Sequence, residues 1–75
     1  MSDSDRLCAI VAQRLGRDTV VVTDHLIEDL GIESIDMVVL AVRIKEVFGI
    51  SLSDDVLWDV TTVGDVWTAI ESAQS

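Results

Sequence analysis

Apolar residues recur at helical spacing along most of the chain, and this spacing predicts three long helices and one short helix. The first long helix has Asp3 or Ser4 as its cap, Arg14 in its last turn and Gly16 just beyond its end. Its apolar stripe consists of Leu7, Ile10, Val11 and Leu15. Cys8 lies beside this stripe, where we expect a half-buried thiol of low reactivity.

The central helix, from Ser34 to Phe48, is the most apolar segment of the chain and has two apolar faces. One face is the stripe that an amphipathic helix buries, formed by Met37, Leu40, Ala41, Ile44, Val47 and Phe48. A second apolar row lies on the opposite side and comprises Ile35, Val38, Val39 and Val42. Gly49 is expected to end the helix in a left-handed conformation.

The remaining segments complete a small all-α bundle. Arg17 to Glu33 form a long loop between the first two helices, anchored by Leu26, Leu30 and Ile32. Ser53 caps a short helix that ends by Asp59. Thr62 and Asp65 form a capping box for the last helix, whose buried face is Val63, Val66, Trp67 and Ile70. The predicted fold is one domain, residues 1–75, of three long helices and one short helix.

Length and charge restrict the functions open to this chain. In 75 residues, a pocket of roughly 300 Å³ would take up much of the interior, so we expect carrying or binding rather than catalysis. The net charge of −9 disfavours nucleic acid and favours partners with basic patches. One cysteine excludes an internal disulfide, and no apolar run reaches the roughly 20 residues of a membrane span. We expect a cytoplasmic monomer without membrane insertion.

Ser34 begins the central helix, and two interpretations of it are open. A serine at this point commonly caps a helix by accepting a hydrogen bond from a backbone N–H. The run from Asp29 to Asp36, DLGIESID, resembles the attachment motif of acyl carrier proteins. The resemblance extends over nearly the whole chain, through FGISL after the central helix to TTVGD at the start of the last. The agreement in order and spacing makes it specific, whereas the short motif alone is easily met by chance.

This resemblance implies a four-helix carrier in which Ser34 bears 4′-phosphopantetheine and acyl groups are held as thioesters on its terminal thiol. A phosphopantetheinyl transferase would attach the group, and acyl-transferring, condensing and modifying enzymes would be the partners. Glu33 stands where the family usually has an aspartate that assists the magnesium-dependent attachment. Its longer side chain can weaken that step without abolishing it. Asp36 matches a second acidic position of the family.

Two further sets of residues are predicted to serve such a carrier. An attached acyl chain is expected to fold back among the helices, against Leu40, Ile44, Val60, Val63 and Trp67. Partner enzymes are expected to dock on the second apolar row, which is Ile35, Val38, Val39 and Val42, with Glu46 at its rim. At least Val39 and Val42 should be exposed, because the charged Arg43 and Lys45 beside them must reach water.

Several functions remain open at this point. Val39, Arg43 and Lys45 stand on the side of the central helix where housekeeping fatty-acid carriers have glutamates, which favours a carrier dedicated to a polyketide or specialised lipid pathway. The sequence does not separate this carrier from one for aminoacyl or peptidyl groups. A non-catalytic helical adaptor would dock through the same apolar row without a prosthetic group. A serine hydrolase is disfavoured, since Ser34 lacks a glycine elbow and His25 is an unpromising partner.

Overall fold

The computed structural model describes residues 3–74, and this part of the chain forms four helices and no strand. The helices are α1 (Asp3–Leu15), α2 (Ser34–Phe48), α3 (Asp54–Asp59) and α4 (Val63–Gln74). Residues 16–33 form the long connection between α1 and α2. The predicted all-α architecture of three long helices and one short helix is confirmed. Within the described range, no helix combines the length and the apolar character that crossing a membrane requires.

The core lies where the apolar stripes of the three long helices meet. Its most completely buried side chains are Leu7, Ile44, Val63 and Ile70. Burying a side chain of this size favours folding by about 1.5–3 kcal/mol. At the end of α2, the Phe48 and Trp67 rings contact each other with centroids 6.1 Å apart, and the Arg6 guanidinium lies 5.8 Å from the Phe48 centroid. Phe48 therefore joins α2 to both α1 and α4.

The capping residues of two helices differ from the prediction. α1 already includes Asp3, so Asp3 and Ser4 lie inside its first turn and do not precede it. The acidic side chains of Asp3 and Asp5 favour this longer helix because they lie at the positive end of its dipole. α2 begins at Ser34 itself, and the extended backbone of a capping residue falls on Glu33 (φ −103°, ψ 171°). The interpretation of Ser34 as the cap is therefore wrong by one residue.

Other helix ends are as predicted. Gly49 has a φ of 70°, and its N–H donates to the Lys45 carbonyl at 2.9 Å, which ends α2 in a left-handed cap. The Ser53 hydroxyl accepts a hydrogen bond of 3.3 Å from the Val56 N–H at the start of α3. α3 ends at Asp59. Local capping chemistry therefore sets the length of both helices.

Main-chain hydrogen bonds join the long loop to the α3–α4 connection and to the first turn of α4. The predicted anchors Leu26, Leu30 and Ile32 are all buried. A Cβ atom at Gly64 would lie 3.1 Å from the Val22 carbonyl oxygen, so glycine permits this close approach. Three hydrogen bonds link the segments: Leu26 N–H to the Thr61 carbonyl (2.9 Å), Val63 N–H to the Asp24 carbonyl (3.1 Å) and Gly64 N–H to the Val22 carbonyl (2.8 Å).

Side chains also hold the loop in shape. The Asp24 carboxylate accepts from the Val21 N–H at 3.0 Å, and the Asp29 carboxylate accepts from the His25 N–H at 2.7 Å. The Arg17 guanidinium donates to the Asp29 carbonyl at 2.9 Å. Short acidic side chains that satisfy nearby backbone donors are typical of turns. The loop is therefore a bonded structure with a defined path.

Cys8 is half-buried against the core, as predicted. Burial raises the pKa of its thiol, and the negative charges of Asp5 and Asp24 raise that pKa further. The reactive form of cysteine is the thiolate, which these surroundings disfavour. These surroundings therefore favour the protonated thiol, which packs against the core.

The start of α4 is a reciprocal capping arrangement, as predicted. The Asp65 carboxylate accepts hydrogen bonds from the N–H groups of Thr61 (3.0 Å) and Thr62 (3.1 Å). The Thr62 hydroxyl accepts from the Asp65 N–H at 3.1 Å. The backbone donors of Thr61 and Thr62 hold the pKa of Asp65 below its usual value. Ionised Asp65 thus stabilises the junction to which the long loop is bonded.

We expect Asp65→Asn to lower the melting temperature by a few degrees at pH 7. Because the folded-state pKa of Asp65 is lowered, its contribution to stability is complete above the unfolded-state pKa and is lost as the pH falls through the folded value. Thermal unfolding followed by circular dichroism at pH 7 and pH 3 measures this difference. Asp18→Asn, at an exposed position of the long loop, is the matched control. A melting temperature equal to that of the wild type at pH 7 would contradict the prediction.

Candidate functional site

Ser34 is the first residue of α2, and its side chain is exposed. Glu33, also exposed, precedes it in an extended conformation. The loop before these two residues is fixed by a hydrogen bond of 2.9 Å from the Ile32 N–H to the Leu26 carbonyl. A positive φ of 64° at Gly31 turns the chain into this position. The backbone thus presents the serine hydroxyl to solvent at a fixed helix start.

Asp36 follows in the first turn of α2, and both of its carboxylate oxygens are engaged. Oδ2 accepts from the Glu33 N–H at 3.0 Å. Oδ1 accepts from Arg14 at the end of α1, at 3.0 Å from Nη2 and 3.1 Å from Nε. Only 16% of the Asp36 side chain is exposed. The sequence placed Asp36 beside Ser34 but did not indicate Arg14, which lies 22 positions earlier.

The local electrostatics suit an anion joined to the Ser34 oxygen. Helix N-termini have N–H groups without intrahelical partners and carry the positive end of the helix dipole. A phosphate group is favoured at such a position. The His25 ring lies 3.6 Å from the exposed Glu28 carboxylate, and His25 is not among the residues that line the cavity beside Ser34. The geometry is that of an attachment point rather than an activated nucleophile.

A cavity of about 350 Å³ opens beside Ser34, between the long loop, the start of α2 and α3. Its rim includes two strongly exposed apolar side chains, Ile27 (76% exposed) and Trp58 (59% exposed). An apolar group joined to Ser34 would therefore find apolar surface within reach. The cavity is lined by Leu26, Ile27, Ile32, Glu33, Ser34, Met37, Leu57, Trp58 and Val60.

The residues predicted to contact an attached acyl chain lie mostly outside the cavity beside Ser34. Of those five, Val60 alone lines the cavity beside Ser34. Leu40, Ile44 and Val63 are buried in the closely packed core, and Trp67 is half-buried next to Phe48. The reason is that helical periodicity identifies core positions, whereas a cavity depends on where loop and helices fail to meet. Residues of the loop and α3 form that boundary.

The second apolar row of α2 is largely exposed. Ile35, Val38 and Val42 are 59%, 53% and 53% exposed, and we call these three residues the exposed row. Val39 differs, because it is half-buried and lines a shallow depression beside Ile10 of α1. The prediction that Val39 is exposed is therefore wrong: position 39 is turned toward α1.

The charged residues near this row are also placed by the structure. Arg43 is half-buried, and its guanidinium pairs with the Glu46 carboxylate at 3.0 Å. Lys45 and Glu46 are exposed. The positive charge of Arg43 thus partly neutralises the negative charge of Glu46.

A four-helix bundle with an exposed serine at the start of its second helix defines a class of small carrier proteins. Residues 5–70 match the family described as "Phosphopantetheine attachment site". Because this match covers most of the chain, the protein belongs to that family. It is a carrier and not an enzyme, and its prosthetic group is 4′-phosphopantetheine. The serine hydrolase and the adaptor without a prosthetic group are thereby excluded.

Solved structures support the same class. A Mycobacterium tuberculosis protein assigned as an acyl carrier protein superposes with a TM-score of 0.88 and 25% sequence identity, covering 95% of this chain and 97% of that one. A complex of the Pax NRPS, the extended docking domain complex PaxA T1-CDD/PaxB NDD, superposes with a TM-score of 0.84 and 25% identity. That match covers 97% of this chain and 69% of the other.

Proposed function

We propose that this protein is an acyl carrier protein in which Ser34 carries 4′-phosphopantetheine and holds acyl intermediates as thioesters on the terminal thiol of that group. The placement of Ser34 carries the proposal: an exposed hydroxyl on the first residue of α2, next to an apolar cavity. Phosphate at this oxygen is favoured by the helix N-terminus. The cavity offers apolar surface to the arm and to the acyl chain.

Glu33 and Asp36 take different parts in this proposal. Glu33 is exposed and stands next to Ser34, and its side chain accepts from the Asp36 N–H in the capping box of α2. A carboxylate has several acceptor sites, which leaves others to assist a phosphopantetheinyl transferase that uses magnesium. Asp36 is mostly covered and is bonded to Glu33 and Arg14. We therefore assign the recognition role to Glu33 and a structural role to Asp36.

The surface of α2 supports a carrier dedicated to a polyketide or specialised lipid pathway. Partner enzymes would dock on the exposed row, where apolar side chains stand close to the attachment serine along one helix face. Lys45 and the Arg43–Glu46 pair lie on the same helix and reduce its negative charge. Charge steering by this helix is therefore weaker than docking through apolar burial.

An aminoacyl or peptidyl carrier is the second candidate. It is favoured by the similarity to the PaxA T1-CDD/PaxB NDD complex of the Pax NRPS, which has the same sequence identity as the acyl carrier neighbour. Loading assays separate the two, since the candidates differ in the enzymes that charge the terminal thiol. Charging by an adenylating enzyme with amino acids, and failure with acyl transferases, would favour the second candidate.

Incubation with coenzyme A, magnesium and a broad-specificity phosphopantetheinyl transferase is expected to add one phosphopantetheine to Ser34. Intact mass spectrometry measures the addition. Ser34→Ala should stay folded and unmodified, while Ser51→Ala, at another exposed serine, should be modified like the wild type. An unchanged wild-type mass with several transferases, or modification of Ser34→Ala, counts against the proposal.

A medium-length acyl chain on the arm is expected to enter the cavity beside Ser34, since each CH₂ removed from water is worth about 0.8 kcal/mol. Trp58 lines this cavity. In the Trp67→Phe variant, Trp58 is the remaining tryptophan, and its fluorescence should change when the acyl chain is loaded. In the Trp58→Phe variant, Trp67 is the remaining tryptophan. A change in its fluorescence would instead place the acyl chain among Leu40, Ile44 and Val63. A response from neither variant, with amide NMR shifts confined to Ser34, means that the chain stays in solvent.

Val38→Asp and Val42→Asp are each expected to slow acyl transfer by the cognate enzymes about fivefold or more, because a charge in the exposed row opposes apolar docking by roughly 1 kcal/mol. The rate of transfer to the modified carrier, at low and high salt, is the measurement. Val21→Asp adds the same charge at an exposed valine of the loop and serves as the control. Full activity of both α2 variants, or a wild-type rate that collapses in high salt, contradicts apolar docking.

A further inference from the structure

We infer that Arg14 is a positioning residue for attachment at Ser34: acting through Asp36, it holds the start of α2, and with it the serine hydroxyl, in a fixed place on α1. The inference rests on the function proposed for Ser34. Arg14 does not touch the serine. It acts through the Asp36 carboxylate, which accepts hydrogen bonds both from Arg14 and from the Glu33 N–H immediately before Ser34.

The geometry consists of two linked contacts. Arg14 Nη2 and Nε both donate to Asp36 Oδ1, at 3.0 and 3.1 Å. The other oxygen, Oδ2, accepts from the Glu33 N–H at 3.0 Å. Glu33 and Asp36 enclose Ser34 in the sequence, so the carboxylate bridges the last turn of α1 to both sides of the attachment residue. A chain of charge-assisted hydrogen bonds in fixed directions gives orientation as well as attraction.

Burial distinguishes this ion pair from the others on the surface. Arg14 and Asp36 side chains are 37% and 16% exposed, whereas the Arg43–Glu46 side chains are 44% and 57% exposed. The Arg43–Glu46 pair and the Arg6–Asp3 pair also join residues three positions apart in one helix, and such pairs contribute little. The Arg14–Asp36 pair joins two helices across 22 positions. Without Arg14, Asp36 would be a largely covered carboxylate with its charge unpaired.

This arrangement matters for attachment because a transferred group must meet the serine oxygen in a narrow range of distance and angle. Misplacement of a reacting group by about 1 Å can cost up to about a hundredfold in rate. Main-chain hydrogen bonds of the loop fix the chain before Ser34. Arg14 fixes the first turn of α2 through its ion pair with Asp36. The structure therefore gives a function to an arginine in a chain that has only five basic residues.

The test compares Arg14→Gln, Arg14→Lys, Asp36→Asn and the double variant Arg14→Gln/Asp36→Asn as substrates of one phosphopantetheinyl transferase. Arg14→Gln is expected to lower kcat/KM about three- to tenfold, and Arg14→Lys to restore part of the loss. The double variant should be little worse than either single variant, since residues that act as a unit are not additive. Arg6→Gln removes the same charge from the same helix and is expected to transfer like the wild type.

A second readout is independent of the transferase. In ¹⁵N-resolved NMR spectra of the unmodified protein, the amide resonances of Glu33 and Ser34 should shift in Arg14→Gln and stay in place in Arg6→Gln. Wild-type transfer by folded Arg14→Gln, additive losses in the double variant, or unmoved Glu33 and Ser34 resonances would each overturn the inference. If the wild type itself accepts no phosphopantetheine, the proposed function fails, and the NMR comparison still decides whether Arg14 sets the helix start.

Discussion

The main-chain hydrogen bonds that join the long loop to the α3–α4 connection and to the first turn of α4 are the constraint on which the functional end of the molecule depends. Each residue ordered in a loop costs about 1–2 kcal/mol of conformational entropy, and buried backbone groups must find partners. The bonds from Leu26, Val63 and Gly64 meet part of this requirement, and buried Leu26, Leu30 and Ile32 supply apolar contacts. A loop of this length is thereby held against the bundle.

The cavity beside Ser34 follows from that attachment. One wall is formed by loop residues such as Leu26 and Ile27, and the opposite wall by Leu57, Trp58 and Val60 in and after α3. Met37, from the core stripe of α2, also lines the cavity. The two walls are far apart in sequence and are bonded side by side through the Leu26 N–H and the Thr61 carbonyl. Asp65, which binds the Thr61 and Thr62 N–H groups, supports the same junction.

The sequence predicted features that depend on local chemistry. Helix periodicity located α2, and Gly49, Ser53 and Thr62 marked helix ends with the hydrogen bonds that the structure contains. Features that depend on the relative placement of elements were not predictable in this way. Val39 and Val42 have the same side-chain chemistry on one helix, yet contact with α1 half-buries only Val39. The Arg14–Asp36 pair and the cavity were missed for the same reason, since no spacing rule connects residues across the bundle.

A mobile prosthetic arm needs a fixed attachment point. The arm's reach is useful to a partner enzyme only if the distance from the docking surface to the attachment oxygen is constant. In this protein the exposed row begins at Ile35, the residue after Ser34, and continues along the same rigid helix. Docking on this row, as proposed, would therefore fix the position of the serine directly. Asp36 links the start of α2 to α1. The exposed row, Ser34 and the rest of the bundle therefore keep fixed relative positions while the arm moves.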